Sequence, residues 1–167
     1  MKINWKYQIR QYGTALMVAI PLFVILSVYL FYRRGYYDLY IANKIFAGVS
    51  AIVFGIILLI GLLSRFFSFF DRDVQYRKEL GIVAFFLALT HGIVSLFFLP
   101  SRFPLSGFLK TPSWPFVFGL MAVIILIAIF FISNNRAMIV IGREGWWKLQ
   151  NWGIRFIFIL SFFMFLL

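Results

Sequence analysis

The sequence predicts an all-α integral membrane protein, a bundle of about five transmembrane helices. Of its 167 residues, 63% are hydrophobic and only 13% are charged, and the mean hydropathy is +0.97. Soluble domains average about 45–50% apolar and about 25% charged residues, and a soluble chain of this size could not bury so much apolar surface. We therefore expect a single transmembrane domain over residues 1–167, in contact with the lipid bilayer.

Five apolar stretches are long enough to cross about 30 Å of hydrocarbon as helices. They cover residues 12–32, 45–64, 80–99, 115–133 and 147–167. The first follows a basic segment, as the apolar region of a signal peptide does, but it is longer than such a region and no A-x-A cleavage site follows it. We expect it to be retained as a span. Pro21 lies in its middle, where a membrane helix tolerates a kink.

The distribution of lysine and arginine predicts the orientation of these spans. The N-terminal segment and the second and fourth connections hold ten basic residues, whereas the first and third connections hold five. Because basic residues are enriched on the cytoplasmic side, we expect a multi-pass protein of the cell (inner) membrane with a cytoplasmic N-terminus. This topology also accounts for the net charge of +11, so that nucleic acid is not an expected partner.

Few residues of the chain could act in catalysis or bind a metal or cofactor. There is no cysteine, one histidine and five acidic residues, which excludes disulfides and iron–sulfur clusters and leaves too few ligands for a zinc or di-iron centre. No Walker A, GxGxxG, HExxH or GxSxG motif occurs, so the chain offers no flavin or nicotinamide site of its own. If it carries electrons, a partner or a small diffusible donor must supply them.

The single histidine, His91, lies within the third predicted span. Thirteen residues separate it from Lys78, and at ~1.5 Å per residue this places it ~20 Å into the membrane, in the outer half. An imidazole in lipid needs a polar partner. The residues alone leave two interpretations open, which are a hydrogen bond to a neighbouring helix or to Thr90 or Ser95, and ligation of a metal or haem.

Two segments of the chain resemble the ferric reductase-like transmembrane domain superfamily. Residues 76–91, YRKELGIVAFFLALTH, are similar to the R-R-x-L-G-L-x-A-F-x-Y-x-x-L-H pattern of that family. Residues 132–138, ISNNRAM, followed by Gly142-Arg143 and by WKLQ at 147–150, are similar to its T-S-x-N-R-A … L-G … W-K-x-L-H stretch. The superfamily includes bacterial haem-b membrane subunits such as the membrane partner of periplasmic methionine sulfoxide reductase. The resemblance is good from residue 76 to 167 and loose before that.

The resemblance implies a bundle that binds haem b and passes electrons across the membrane. In this family a histidine of the third helix and one of the fifth hold a haem, and a second pair ~14 residues along the same helices holds another. His91 occupies the third-helix position of the outer haem. Arg77 and Gln150 stand where the histidines of the inner haem would be, so the family's set of haem ligands is degenerate in this chain. We therefore expect one haem b, near the outer face.

Met164 stands fourteen residues after Gln150, where the outer ligand of the fifth helix would lie. We therefore predict His91 and Met164 as ligands of the haem iron, a pairing that raises the potential in cytochromes c. Alternatively Met164 is a packing residue, and the haem is five-coordinate or takes a ligand from a partner chain. Arg155 is a candidate for pairing with a haem propionate or a lipid phosphate, or it snorkels to the interface. Gln150 is expected to form a hydrogen bond or cap at the start of its helix.

The predicted function is electron transfer through this haem, which would make the chain an oxidoreductase subunit. A quinol is favoured over a cytoplasmic redox partner protein as the donor, because about 20 Å of protein would separate such a partner from an outer haem. The alternative is a haem-less relative that serves as a membrane scaffold or assembly subunit. A transporter or channel subunit is less consistent with the sequence, because Arg155 is the only charge within the predicted spans apart from Lys148 at the edge of the fifth.

Overall fold

The structure, a computed structural model, describes residues 5–100, 104–110, 113–133 and 135–166. Those residues form helices and contain no strand, which confirms the predicted all-α class. The helices are α1 (Trp5–Arg34), α2 (Leu39–Leu63), a 3-10 segment (Ser68–Tyr76), α3 (Arg77–Ile93), a π-helical turn (Val94–Phe98), α4 (Leu105–Lys110), α5 (Trp114–Ile132), α6 (Asn135–Ile141) and α7 (Arg143–Leu166). They belong to two compact units, unit 1 (Met1–Leu87) and unit 2 (Ala88–Leu167), and the boundary falls within α3.

Four helical segments of the described chain are long and apolar enough to cross a membrane. They are Ile9–Arg34, Leu39–Leu63, Ser68–Phe98 and Trp114–Ile132, and they overlap the first four predicted spans. Of the fifth predicted span, 147–167, residues 147–166 lie in α7; residue 167 and the side chains of residues 164–166 are outside the described part of the chain. That α7 is helical is therefore confirmed, and that it crosses the membrane stays a prediction.

In unit 1, α1 and α2 form a helical hairpin. Gly35 ends α1 with a φ of +73°, a left-handed conformation that glycine adopts without strain. The Asp38 carboxylate accepts a hydrogen bond of 2.8 Å from the Ile41 backbone N–H and so caps the start of α2. Ala15 and Ala19 are buried on α1, because small side chains at a spacing of four let the two helices approach closely.

Helix α2 is the centre of unit 1. Five of its buried aliphatic side chains recur every four residues, as expected for a helix with one face in the protein interior: Ile41, Ile45, Val49, Val53 and Ile57. The Ser50 hydroxyl donates a hydrogen bond of 2.9 Å to the backbone carbonyl of Ala84 on α3. Ala84 is completely buried, so this polar contact joins α2 and α3 at a point of close approach.

In unit 2, α5 and α7 pack along each other. Gly153 of α7 faces Ile129 of α5 so closely that a Cβ atom on Gly153 would overlap the isoleucine side chain. Further along, the rings of Phe118 and Phe163 lie 6.0 Å apart between their centroids. Many large apolar side chains of both units remain exposed, among them Met17 on α1 and Phe131 on α5. Such a surface is stable when lipid covers it.

Candidate functional site

His91 lies in the last turn of α3, at the start of unit 2. Its side chain is half-buried, and α3 ends two residues later at Ile93. The π-helical turn Val94–Phe98 follows directly. Such turns are rare, because each one widens the helix by one residue, and they occur frequently at functional sites. The imidazole therefore stands at the point where a regular membrane helix changes its backbone geometry.

The residue after His91 is a glycine with open space where its side chain would be. A Cβ atom built on Gly92 would meet no heavy atom within 4 Å. One imidazole can serve as a ligand of a haem, which needs only one or two protein ligands. Among the described residues no group of three or more His, Cys, Asp or Glu side chains could hold a metal ion. In this part of the chain the donor set thus fits an axially ligated haem better than a bare metal ion.

Met164 lies in the last turns of α7, and its side chain is outside the described residues. Its pairing with His91 therefore stays a prediction. The preceding residue, Phe163, is described and packs against Phe118, whose ring in turn lies 5.8 Å from the ring of Trp114. These ring contacts place the end of α7 beside the start of α5.

Gln150, which stands where the family pattern has an inner histidine, forms structural hydrogen bonds. Its side-chain N–H donates to the Ser133 hydroxyl over 2.8 Å, and that hydroxyl donates to the Ile129 carbonyl over 2.6 Å. In the turn before it, the Trp146 indole N–H donates to the Ile132 carbonyl over 2.7 Å. These bonds satisfy polar groups at the end of α5 and confirm that Gln150 forms a hydrogen bond. The expected position was wrong, because α7 begins at Arg143 and Gln150 lies seven residues into it.

Arg77, the residue at the other inner position, begins α3 in unit 1. Its guanidinium lies about 3.0 Å from the point where a Cβ of Gly61 would be, so the glycine of α2 makes room for a large cationic group. A guanidinium has donors and no lone pair, so it cannot ligate iron.

Arg155 is exposed on α7. Its guanidinium carbon lies 5.2 Å from the centre of the Trp152 ring, a cation–π contact that holds the charge along the outside of the helix. This position is compatible with snorkelling towards headgroups, and the propionate contact stays a prediction.

Sequence reasoning missed Glu79. The predicted third span began at residue 80, which left Glu79 at the water interface, but the structure buries it in the first turn of α3 with 6% of its surface exposed. Its Oε2 atom has no hydrogen-bond partner among the described residues. The 3-10 segment before α3 packs against α1 and α2 and thereby draws the start of α3 inward. The sequence contained one signal for this burial, which is that the acidic residue directly adjoins an apolar run.

Comparison with protein-family models matches residues 46–161 to a family described as ferric reductase like transmembrane component. The match covers more than half of the chain and includes His91 and Arg155, whereas Met164 lies just beyond its end. No curated protein matches the chain.

Proposed function

The chain belongs to the ferric reductase like transmembrane component family, and from this we propose that it binds one haem b and carries electrons through the membrane. The observation that carries the proposal is the place of His91. It is the single histidine of the sequence, and it lies within the matched segment on a helix that is long and apolar enough to cross a membrane. When bound, the haem would supply a one-electron ferric/ferrous couple.

Residues of unit 2 would hold the haem. The His91 imidazole on α3 and the Met164 thioether on α7 would hold the haem iron. A thioether favours ferrous iron relative to a second imidazole, so this pair would raise the potential and make the haem a good electron acceptor. Arg155 would neutralise either a propionate or a nearby lipid phosphate.

The residues at the inner positions support a single haem. Gln150 is engaged with Ser133, and Arg77 cannot be a ligand. With no inner haem, a donor that dissolves in the bilayer reaches the site more readily than a cytoplasmic flavoprotein, so we propose a quinol as the electron source. Electrons would leave at the outer face to a redox partner protein, for which a periplasmic methionine sulfoxide reductase is the example among related systems.

An absorption spectrum of the purified protein, reduced with dithionite and compared with the oxidised form, tests the proposal. We expect b-type bands and one haem per chain by pyridine haemochrome analysis. His91→Ala should abolish the bands, whereas Thr90→Ala, a substitution of the neighbouring residue, should keep them.

A folded, monodisperse protein that contains no haem after expression with excess haem would refute the electron-transfer proposal. The haem-less scaffold or assembly subunit would then be the better interpretation. Under that interpretation His91→Ala would leave the yield and the melting temperature unchanged.

A further inference from the structure

Helix α7 meets α5 along one face. Trp146 and Gln150 donate hydrogen bonds at the end of α5. Gly153 receives Ile129 of α5, and Ile157, four residues later on the same side of α7, is buried. These positions of α7 are spaced by three or four residues, so they form one continuous face towards α5. The opposite side of α7 is turned away from that helix.

The opposite side of α7 is exposed and carries two cations. Lys148, Trp152 and Arg155 are spaced by four and three residues, so they share one side of the helix, and all three are exposed. Lys148 lies two residues before Gln150, and Arg155 lies two residues after Gly153. Two residues correspond to a rotation of about 200° around a helix. This outward face, defined by Lys148, Trp152 and Arg155, is therefore almost directly opposite to α5.

The outward face changes from charged to apolar along α7. Ile159 and Phe162, four and seven residues after Arg155, continue the same side of the helix and are exposed. The two cations are ~10 Å apart along the helix axis, and the Trp152 indole lies between them in the sequence. Tryptophan and basic side chains are typical of the level of the lipid headgroups, whereas exposed apolar side chains are typical of the hydrocarbon. The outward face thus leads from the headgroup layer into the acyl chains.

The charges of α7 favour an anion. The helix carries three cations, Arg143, Lys148 and Arg155, and one acidic residue, Glu144. Glu144 pairs with Lys148 over 2.7 Å, but both side chains are exposed, and such a pair is weak enough for Lys148 to exchange it for a phosphate. Arg155 forms no ion pair with a carboxylate among the described residues. Its contact with Trp152 neutralises no charge, because an indole ring is neutral, so the guanidinium still requires an anion.

We propose that the outward face binds the phosphate group of an anionic phospholipid, whose acyl chains lie along Ile159 and Phe162. A guanidinium matches the oxygens of a phosphate with paired N–H donors, and Lys148 adds a second cation to the same headgroup site. By the predicted orientation α7 begins on the cytoplasmic side, where clusters of basic residues bind anionic headgroups. The inference goes beyond the proposed electron transfer and does not depend on haem. It assigns Arg155 to a lipid phosphate and not to a propionate.

Native mass spectrometry of the full-length protein in detergent tests this assignment. Dioleoylphosphatidylglycerol should bind to the chain more tightly than dioleoylphosphatidylcholine, whose headgroup has no net charge. Arg155→Gln should weaken the binding of dioleoylphosphatidylglycerol about fivefold, the contribution of one basic residue at an anionic surface, and Arg155→Lys should retain most of the affinity. Arg72→Gln, which removes an exposed cation of unit 1, is the matched control and should bind as the wild type does. The melting temperature of each variant shows whether it is folded.

Glu144→Gln provides a test of the opposite sign. It removes the carboxylate that competes for Lys148, so the affinity for dioleoylphosphatidylglycerol should rise by up to about fivefold, a gain that a folding defect cannot produce. Equal weakening in Arg155→Gln and Arg72→Gln, or no preference for the anionic lipid, would overturn the proposal. Unchanged lipid binding with an altered haem spectrum in Arg155→Gln would assign Arg155 to the propionate instead. A dimer that Arg155→Gln dissociates would show that a second copy covers this face, and would likewise overturn the lipid assignment.

Discussion

The close approach of α5 and α7 predicts that Gly153→Ala destabilises unit 2. A Cβ at this position would overlap Cδ1 of Ile129 and lie 2.8 Å from its Cγ1, whereas carbon atoms in good contact are about 3.5–4.0 Å apart. Isoleucine has one strongly preferred χ1 rotamer in a helix, so Cγ1 cannot simply turn away. The helices must instead separate by roughly 1 Å.

Inserting one methyl group into such a packed contact costs about 1–3 kcal/mol. Alanine has a higher helix propensity than glycine, but this offsets little of the cost. A membrane helix stays helical when its neighbours separate, so the propensity contributes equally to the packed and the separated states. We therefore expect the free energy of unfolding, measured by titration with sodium dodecyl sulfate, to fall by about 1–3 kcal/mol. The matched control is Gly81→Ala on α3, where a Cβ meets no heavy atom within 4 Å and stability should not fall.

Ile129→Ala provides the decisive partner substitution. In the double variant the added methyl group has room, so the effects of the two changes should not add, and the coupling energy should equal the cost of the overlap. Wild-type stability of Gly153→Ala would contradict this reasoning. So would purely additive effects in the double variant, because the glycine and the isoleucine would then not be in contact.

Three further predictions concern the ligands and the hydrogen bonds between helices. Met164→Leu should shift the reduced haem spectrum and lower the midpoint potential in a redox titration, because it removes the thioether, whereas Met121→Leu at an exposed position of α5 should change neither. Ser50→Ala should lower the free energy of unfolding by about 0.6 kcal/mol, the average for hydrogen bonds between membrane helices, and by no more than about 1.7 kcal/mol. Its control, Ser27→Ala, removes a bond within α1 and should have a smaller effect; equal losses would show that the contact to α3 contributes little. Gln150→Ala should lower the melting temperature by a few degrees through loss of the bond to α5 and leave the haem spectrum unchanged, and a changed spectrum would contradict its purely structural role.

The sequence by itself determined the fold class and the region of the site. Long apolar runs must be helices in lipid, because each backbone N–H and C=O then finds its partner within the same segment. The extent of these runs placed His91 inside a span, and the spacing of the motif around it pointed to the family that the match over residues 46–161 shows. The helical state of α7 followed in the same way.

Only the tertiary structure decided which faces of the helices meet. In a soluble protein the apolar side of a helix is its buried side, but in a bilayer both the lipid-facing and the protein-facing sides are apolar. The sequence could therefore not show that Gly153 receives Ile129, that Gln150 bonds to Ser133, or that Glu79 is buried. Each of these depends on how neighbouring helices pack, and that packing is set by side-chain shape and by contacts between residues far apart in the chain.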